Sequence, residues 1–274
     1  MADRGIDGGV VVVTGASSGI GREIARLIGP RARRLVLVAR RAGRLAELEE
    51  ELKKRNGKLE VDVLLADLSR RDEVTRLIEE IRQKVGDVDV LVNNAGVGDM
   101  GLFERASEEK LLSMLDLNMT SLMLLSRAFL PGMIARRKGG ILNVSSGFGL
   151  AVLPGFAAYA ATKHFVTALT EALRSEVRGT GVTISQICPG PVATEFEENI
   201  GNFTDQHAPG FVEISAVACA TAAVSGYDRG CAIVYPGLVY KLVMLVSLWT
   251  PRVIVRMVIS VAGTFVRKKQ LGTS

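Results

Sequence analysis

Val10-Val11-Val12-Val13-Thr14-Gly15-Ala16-Ser17-Ser18-Gly19-Ile20-Gly21 is the stretch that decides the fold. Four valines in a row read as a strand buried on both faces, since an unalternated apolar run leaves no face for water. The small residues after it let backbone approach a ligand closely, and the helix expected from Ile20 turns its dipole and free N–H groups toward that ligand. The G-x-x-x-G-x-G spacing differs from the G-x-G-x-x-G fingerprint, so the spacing alone would also fit a structural turn. Its place at the first strand-to-helix junction favours a dinucleotide pyrophosphate, with Gly15, Ser17, Ser18, Gly19, Ile20 and Gly21 as the cradle.

Outward from this loop the chain alternates. Short runs rich in valine, leucine and isoleucine at 10–13, 35–39, 61–65, 88–92, 141–144, 182–187 and 232–234 read as buried parallel strands. Helix-length segments at 20–28, 45–56, 71–85, 108–137, 157–178 and 213–225 lie between them. Parallel neighbours need crossovers, so the pattern predicts an α/β fold: one Rossmann-type domain with a doubly wound parallel sheet of about seven strands and helices on both faces. The stripe of Leu45, Leu48 and Leu52 makes the second helix amphipathic and peripheral. Residues 117–130 are apolar nearly all round, which suits a helix between the sheet and a partner subunit and predicts a homodimer or homotetramer.

Composition narrows the function class. The chain has 274 residues, 48% of them hydrophobic and 23% charged, which excludes a disordered chain. No apolar stretch precedes the first strand, so a cytoplasmic protein is expected. Cys188, Cys219 and Cys231 are odd in number and widely spaced, and His164 and His207 stand apart, so neither a disulfide framework nor a metal site is expected. The net charge of +5 owes much to clusters at 31–44 and 267–269 rather than to a helical stripe, so no nucleic-acid partner is expected.

The second strand ends in Val38-Ala39-Arg40-Arg41, where an NAD enzyme would place an acid for the ribose hydroxyls. A guanidinium can grip a phosphate and stack on adenine, so NADP(H) is expected, with Arg40 as its contact. Tyr159 and Lys163 stand at i and i+4 on one helix face. A tyrosine titrates near 10, and a nearby ammonium is expected to pull it toward a useful range for acid–base work.

With these motifs in order the sequence resembles the classical short-chain dehydrogenase/reductase family over about residues 10–234. The resemblance also rests on Asp67 in Ala66-Asp67-Leu68, on Asn93-Asn94-Ala95-Gly96, on Asn118, on Asn143-Val144-Ser145-Ser146 and on Pro189-Gly190-Pro191-Val192 with Thr194. It implies hydride transfer between a nicotinamide and a carbonyl or secondary alcohol, with Tyr159 as proton donor and acceptor. By the same resemblance Ser146 polarises the carbonyl, Lys163 holds the nicotinamide ribose, and Asn118 holds a water that links Lys163 to solvent. Asp67 and Leu68 would meet adenine, Asn94, Ala95 and Gly96 would line the cleft, and Pro189, Gly190, Val192 and Thr194 would hold the carboxamide. A 3-oxoacyl carrier reductase and a non-catalytic NADP-binding sensor are the alternatives.

Phe148, Leu153, Phe196, Phe203 and Phe211 suggest a pocket for a small lipophilic carbonyl or alcohol, steroid-like, retinoid-like or long-chain acyl. Residues 1–237 form the NADP-binding and catalytic domain. Residues 238–274 are an apolar, basic extension packed on it as a substrate lid, a subunit contact or a membrane-surface segment. Burial against the protein's own body is favoured over peripheral membrane contact, because it removes these valines and leucines from water without a membrane.

Overall fold

The valine-rich run at the start becomes β1 (Val10–Thr14), all five residues buried, and it sits near the centre of the sheet. The computed structural model describes residues 4–196, 200–201 and 213–271. After β1 come α1 (Gly19–Ile28), β2 (Arg34–Ala39), α2 (Ala42–Arg55), β3 (Glu60–Leu65), α3 (Arg71–Lys84) and β4 (Val90–Asn93). The second half runs through α4 (Glu108–Leu115), a π turn (Asp116–Thr120), α5 (Ser121–Arg136), β5 (Gly140–Val144), α6 (Ala157–Glu176) and β6 (Thr183–Ile187). It closes with β7 (Val192–Ala193), β8 (Ile214–Ser215), α7 (Ala216–Arg229), β9 (Ile233–Val234), α8 (Leu238–Trp249) and α9 (Arg252–Leu271).

Seven strands pair in the order β3-β2-β1-β4-β5-β6-β9, all parallel, as the alternation predicts. Period-two side chains divide the core. Val11 and Val13 pack with Ile24, Leu45 and Leu48 on one face, while Val12 and Leu91 pack with Leu77, Ile81 and Phe129 on the other. Both faces are therefore dry. The strand order reverses between β1 and β4, and such a switch point opens a crevice beyond the carboxyl ends of the strands. The glycine loop leaves β1 into that crevice.

Three elements differ from the sequence reading. The single helix expected at 108–137 is α4 and α5 joined by the π turn, whose wider i→i+5 bonding rotates Asn118 inward. A small parallel pair, Val192 with Ile214 and Ala193 with Ser215, follows the main sheet. The extension is helical, and much of its apolar surface is open to solvent rather than covered by the protein's own body.

Leu91 is fully buried in β4 and stands in register between Val12 and Ile141. Leu91→Ala should cost about 2–5 kcal/mol by leaving a cavity between sheet and helices. A lower urea midpoint at an unchanged slope is the expected result, and an unchanged midpoint would contradict this packing.

Candidate active site

The glycine loop is locked by its neighbour strand. Gly15 has φ +67, and a Cβ there would fall 2.6 Å from Asn94 Nδ2 and 2.9 Å from Ala95 Cα, so only glycine fits. Asn94 Nδ2 donates to the Thr14 carbonyl at 2.9 Å and the Gly15 carbonyl at 3.3 Å. The Asn94 and Ala95 N–H groups donate to Thr14 Oγ1 at 3.0 and 3.1 Å, and that hydroxyl donates to the Val92 carbonyl. Ser18, at the N-cap of α1, makes no side-chain cap bond, and the first turn carries no acid. The leading N–H groups thus keep their capacity for an anion. Thr194 closes the cradle from the other side, 3.3 Å from where a Gly19 Cβ would stand.

The two arginines after β2 part company. Arg41 donates to Ser17 Oγ at 3.1 and 3.2 Å and to Ser18 Oγ at 2.5 Å, so it lies over the loop itself. Glu195 pairs with both Arg41 and Arg44 and so ties the segment after β7 to this cluster. Arg40 is more exposed and faces Asp67 at 3.6 Å. Burial pushes the Asp67 carboxyl up, but bonds from the Ser69 hydroxyl and N–H, with Arg40 nearby, hold it below its ordinary value. Sequence reasoning placed the phosphate contact on Arg40 alone, whereas Arg41 makes the loop contacts. Leu68 is buried with Ala66, Val74 and Leu77, so its side chain serves the core.

At the carboxyl end of β5, Ser146 and α6 bring the remaining groups together. Ser146 Oγ accepts from the Phe148 N–H at 3.2 Å and caps the short turn Gly147–Gly149. Its hydroxyl faces Tyr159 closely enough to lower that phenol's pKa. Lys163, one turn along α6, donates from Nζ to the Val144 carbonyl at 3.0 Å and lies 5.8 Å from the Tyr159 ring centre. Asn118 is buried in the π turn, where Nδ2 donates to the Val97 carbonyl and Thr162 Oγ1 and Oδ1 accepts from the Val97 N–H. A Cβ at Gly96 would stand 3.2 Å from Asn118 Oδ1 and 3.5 Å from Lys163 Nζ, so Gly96 exposes backbone between them. The 189–192 segment joins the site through Gly147 N–H, which donates to the Pro189 carbonyl at 2.8 Å.

The electrostatics correct one expectation. Burial disfavours both charged forms, pushing the Tyr159 phenol up to about 12, a rise that the Ser146 bond only partly offsets. The same burial brings Lys163 down to about 8. Lys163 turns its Nζ to a backbone carbonyl, so desolvation outweighs any ammonium effect on the phenol. Tyr159 is a proton-loaded acid at neutral pH.

An aromatic wall surrounds that acid. Phe196 meets the Tyr159 ring at 5.6 Å between centres, Phe148 at 5.9 Å edge-on, and Phe148 stacks on Phe156 at 4.7 Å. Phe156 and Met114, with Met100 beside them, complete this cluster unforeseen by sequence reasoning, while Leu153 stays largely exposed. Tyr240 of α8 packs its ring on Gly190 and its hydroxyl on Gly147, where any Cβ would collide with it. No sequence signal marks that contact. Phe203, Phe211 and His207 lie outside the described residues.

The family model described as short chain dehydrogenase matches residues 9–205. An uncharacterized oxidoreductase of Staphylococcus saprophyticus is 37% identical over 195 residues, covering 70% of this chain and 78% of that one. A short-chain dehydrogenase from Sphingobium yanoikuyae, solved in complex with NADPH, is similar at TM-score 0.77 and 32% identity, covering 84% of this chain and 88% of that one. The bulky-bulky ketone specific alcohol dehydrogenase from Comamonas testosteroni is similar at TM-score 0.73 and 28% identity, covering 84% and 86%.

The difference in ultraviolet absorbance between the native protein and Tyr159→Phe isolates one phenol. Tyr159 should stay un-ionised through pH 10 and begin to titrate only toward about 12, and Ser146→Ala should move it higher still, since the serine bond lowers it. A phenolate appearing near neutral pH would contradict this electrostatic account.

Proposed function

This chain belongs to the short chain dehydrogenase family, and on that premise we propose that it is an NADP(H)-dependent oxidoreductase interconverting a bulky lipophilic ketone and its secondary alcohol. The observation that carries the reading is the buried, protonated Tyr159, with Ser146 and Lys163 beside it and walled by Phe148, Phe156 and Phe196. The bulky ketone named for the Comamonas testosteroni relative and the NADPH of the Sphingobium yanoikuyae relative support the substrate class and the cofactor.

The residues fit such a cofactor. The cradle at Gly15 and Gly19, the uncapped start of α1 and Arg41 over Ser17 and Ser18 suit a pyrophosphate and a further phosphate. Arg40, Asp67 and Leu68 would flank the adenosine, Asn94, Ala95 and Gly96 the middle of the cleft, and Pro189, Gly190, Val192 and Thr194 the carboxamide. When bound, the nicotinamide supplies or takes up the hydride at the substrate carbon.

The chain's own groups manage the oxygen. Ser146 and Tyr159 donate to the carbonyl oxygen as negative charge grows there, and Tyr159 Oη transfers its proton to complete the alcohol. The raised phenol pKa keeps Tyr159 protonated at neutral pH, the form that donates in reduction, while oxidation runs the same path backward. Lys163, charged below about pH 8, lowers the cost of the resulting phenolate and can replace its proton. Asn118 keeps one lone pair on Oδ1 for a water leading outward from Lys163. The aromatic wall orients an apolar substrate and excludes competing water. Leu112, Leu115 and Met123 are exposed on α4 and α5, which supports assembly as a homodimer or homotetramer, and light scattering from a monomer at micromolar concentration would contradict it.

Steady-state kinetics with an aryl ketone test the reading. Tyr159→Phe should lower kcat by about a hundredfold to ten-thousandfold with NADPH affinity nearly unchanged, because only the transferable proton is removed. NADPH should exceed NADH by about tenfold or more in kcat/KM, roughly 1.4 kcal/mol, and Arg40→Ala with Arg41→Ala should abolish the gap. Native turnover in Tyr159→Phe would overturn the proton role, and an NADH preference would overturn the cofactor assignment.

A further inference from the structure

The carboxy-terminal helices turn one side to the protein and leave the other open. On α8, Tyr240 and Met244 are buried, while Leu238, Leu242, Val246 and Trp249 face solvent at intervals of three and four residues. On α9, Val266 is buried beside Gly155, and Gln270 Oε1 accepts the Leu102 N–H at 2.5 Å. The opposite stripe of α9, Val253, Met257, Val258, Val261 and Phe265, is exposed. Trp249 is 86% exposed and Val261 74%. Apolar side chains scattered singly are normal on a surface, but stripes on two successive helices mark a binding face.

Charge identifies what the face fits. From Leu238 onward the sequence holds Lys241, Arg252, Arg256, Arg267, Lys268 and Lys269 and no acidic residue. Arg267 pairs with Glu104 at 2.8 Å, and the other five make no ion pair among the described residues. A second copy meeting this face about a two-fold axis would set these cations against their own copies with no acid in the segment to offset them. Anionic headgroups above acyl chains offer the complementary pattern, negative charge beside apolar depth. Among the described residues no single helix is long and apolar enough to cross a membrane, and α8 and α9 bend by 110° between Ser247 and Arg252. That shape suits two helices lying along an interface. We propose that the outer face of α8 and α9 docks on an anionic lipid surface with Trp249 at headgroup level. The proposal does not depend on the catalytic reading.

Trp249 is the chain's only tryptophan, so its fluorescence reports this face directly. The full chain in detergent-free buffer is mixed with vesicles of phosphatidylcholine and phosphatidylglycerol, or of phosphatidylcholine alone. With anionic vesicles the emission should move to shorter wavelength by on the order of 10 nm, and flotation should exceed that with neutral vesicles by about tenfold and weaken as salt rises. Leu242→Ser with Val246→Ser and Val261→Ser, or Arg252→Gln with Lys268→Gln and Lys269→Gln, should each reduce flotation without lowering the unfolding temperature, since every site is exposed. Unshifted emission without flotation, equal binding to neutral vesicles, or a shift that follows protein concentration in the absence of lipid would overturn the proposal.

Discussion

The structure depends on a charge kept out of water. Lys163 is buried one turn from Tyr159, and the Val144 carbonyl at the end of β5 accepts its Nζ at 3.0 Å. Burying an ammonium is costly unless it is bonded, so the position of β5 against α6 and the glycine at 96 serve this one group. The π turn places Asn118 beside it, and Asn118 in turn holds Val97 by two bonds. A single loosened element would admit water and return both titrating groups toward their ordinary values. The acid strength of Tyr159 is thus a property of packing, with Ser146 as the local adjustment.

The same economy of parts joins the two halves of the cleft. Thr14 and Asn94 knit β1 to β4 where the strand order reverses, so the glycine loop and the residues leading toward Lys163 cannot move independently. Thr194 and Glu195 bring the segment after β7 onto that loop, and Phe196 carries it to Tyr159. The glycine-loop end and the Tyr159 end of the cleft are one mechanical unit. Tyr240 adds the extension to it through Gly147, next to Ser146, and through Gly190, in the segment after β6.

The sheet was legible because its central strands are buried on both faces. Val10–Thr14 and Gly140–Val144 have no polar alternation to mislead, and glycine marks the loop between β1 and α1. The convergence of Ser146, Tyr159 and Lys163 followed from helical spacing and resemblance. What stayed hidden depended on long-range geometry. No residue type signals the π turn at Asn118, adjacent arginines do not say which one turns to the serines, and Phe156 and Tyr240 reach the site only through folding. The extension was open to several readings for another reason. Its apolar residues fall on opposite sides of each helix, and sequence alone does not say which side the protein covers.

The central claim is that Tyr159 and Ser146 hold a ketone oxygen while a hydride reaches its carbon from NADPH. Mass spectrometry of an aryl ketone incubated with NADPH deuterated at C4 tests this most directly. The account predicts an alcohol carrying one cofactor-derived deuterium on the carbinol carbon, formed by the native protein and not by the double variant Ser146→Ala, Tyr159→Phe. Ketone recovered unchanged by native protein that binds NADPH, or label lost to solvent rather than fixed on carbon, would contradict it.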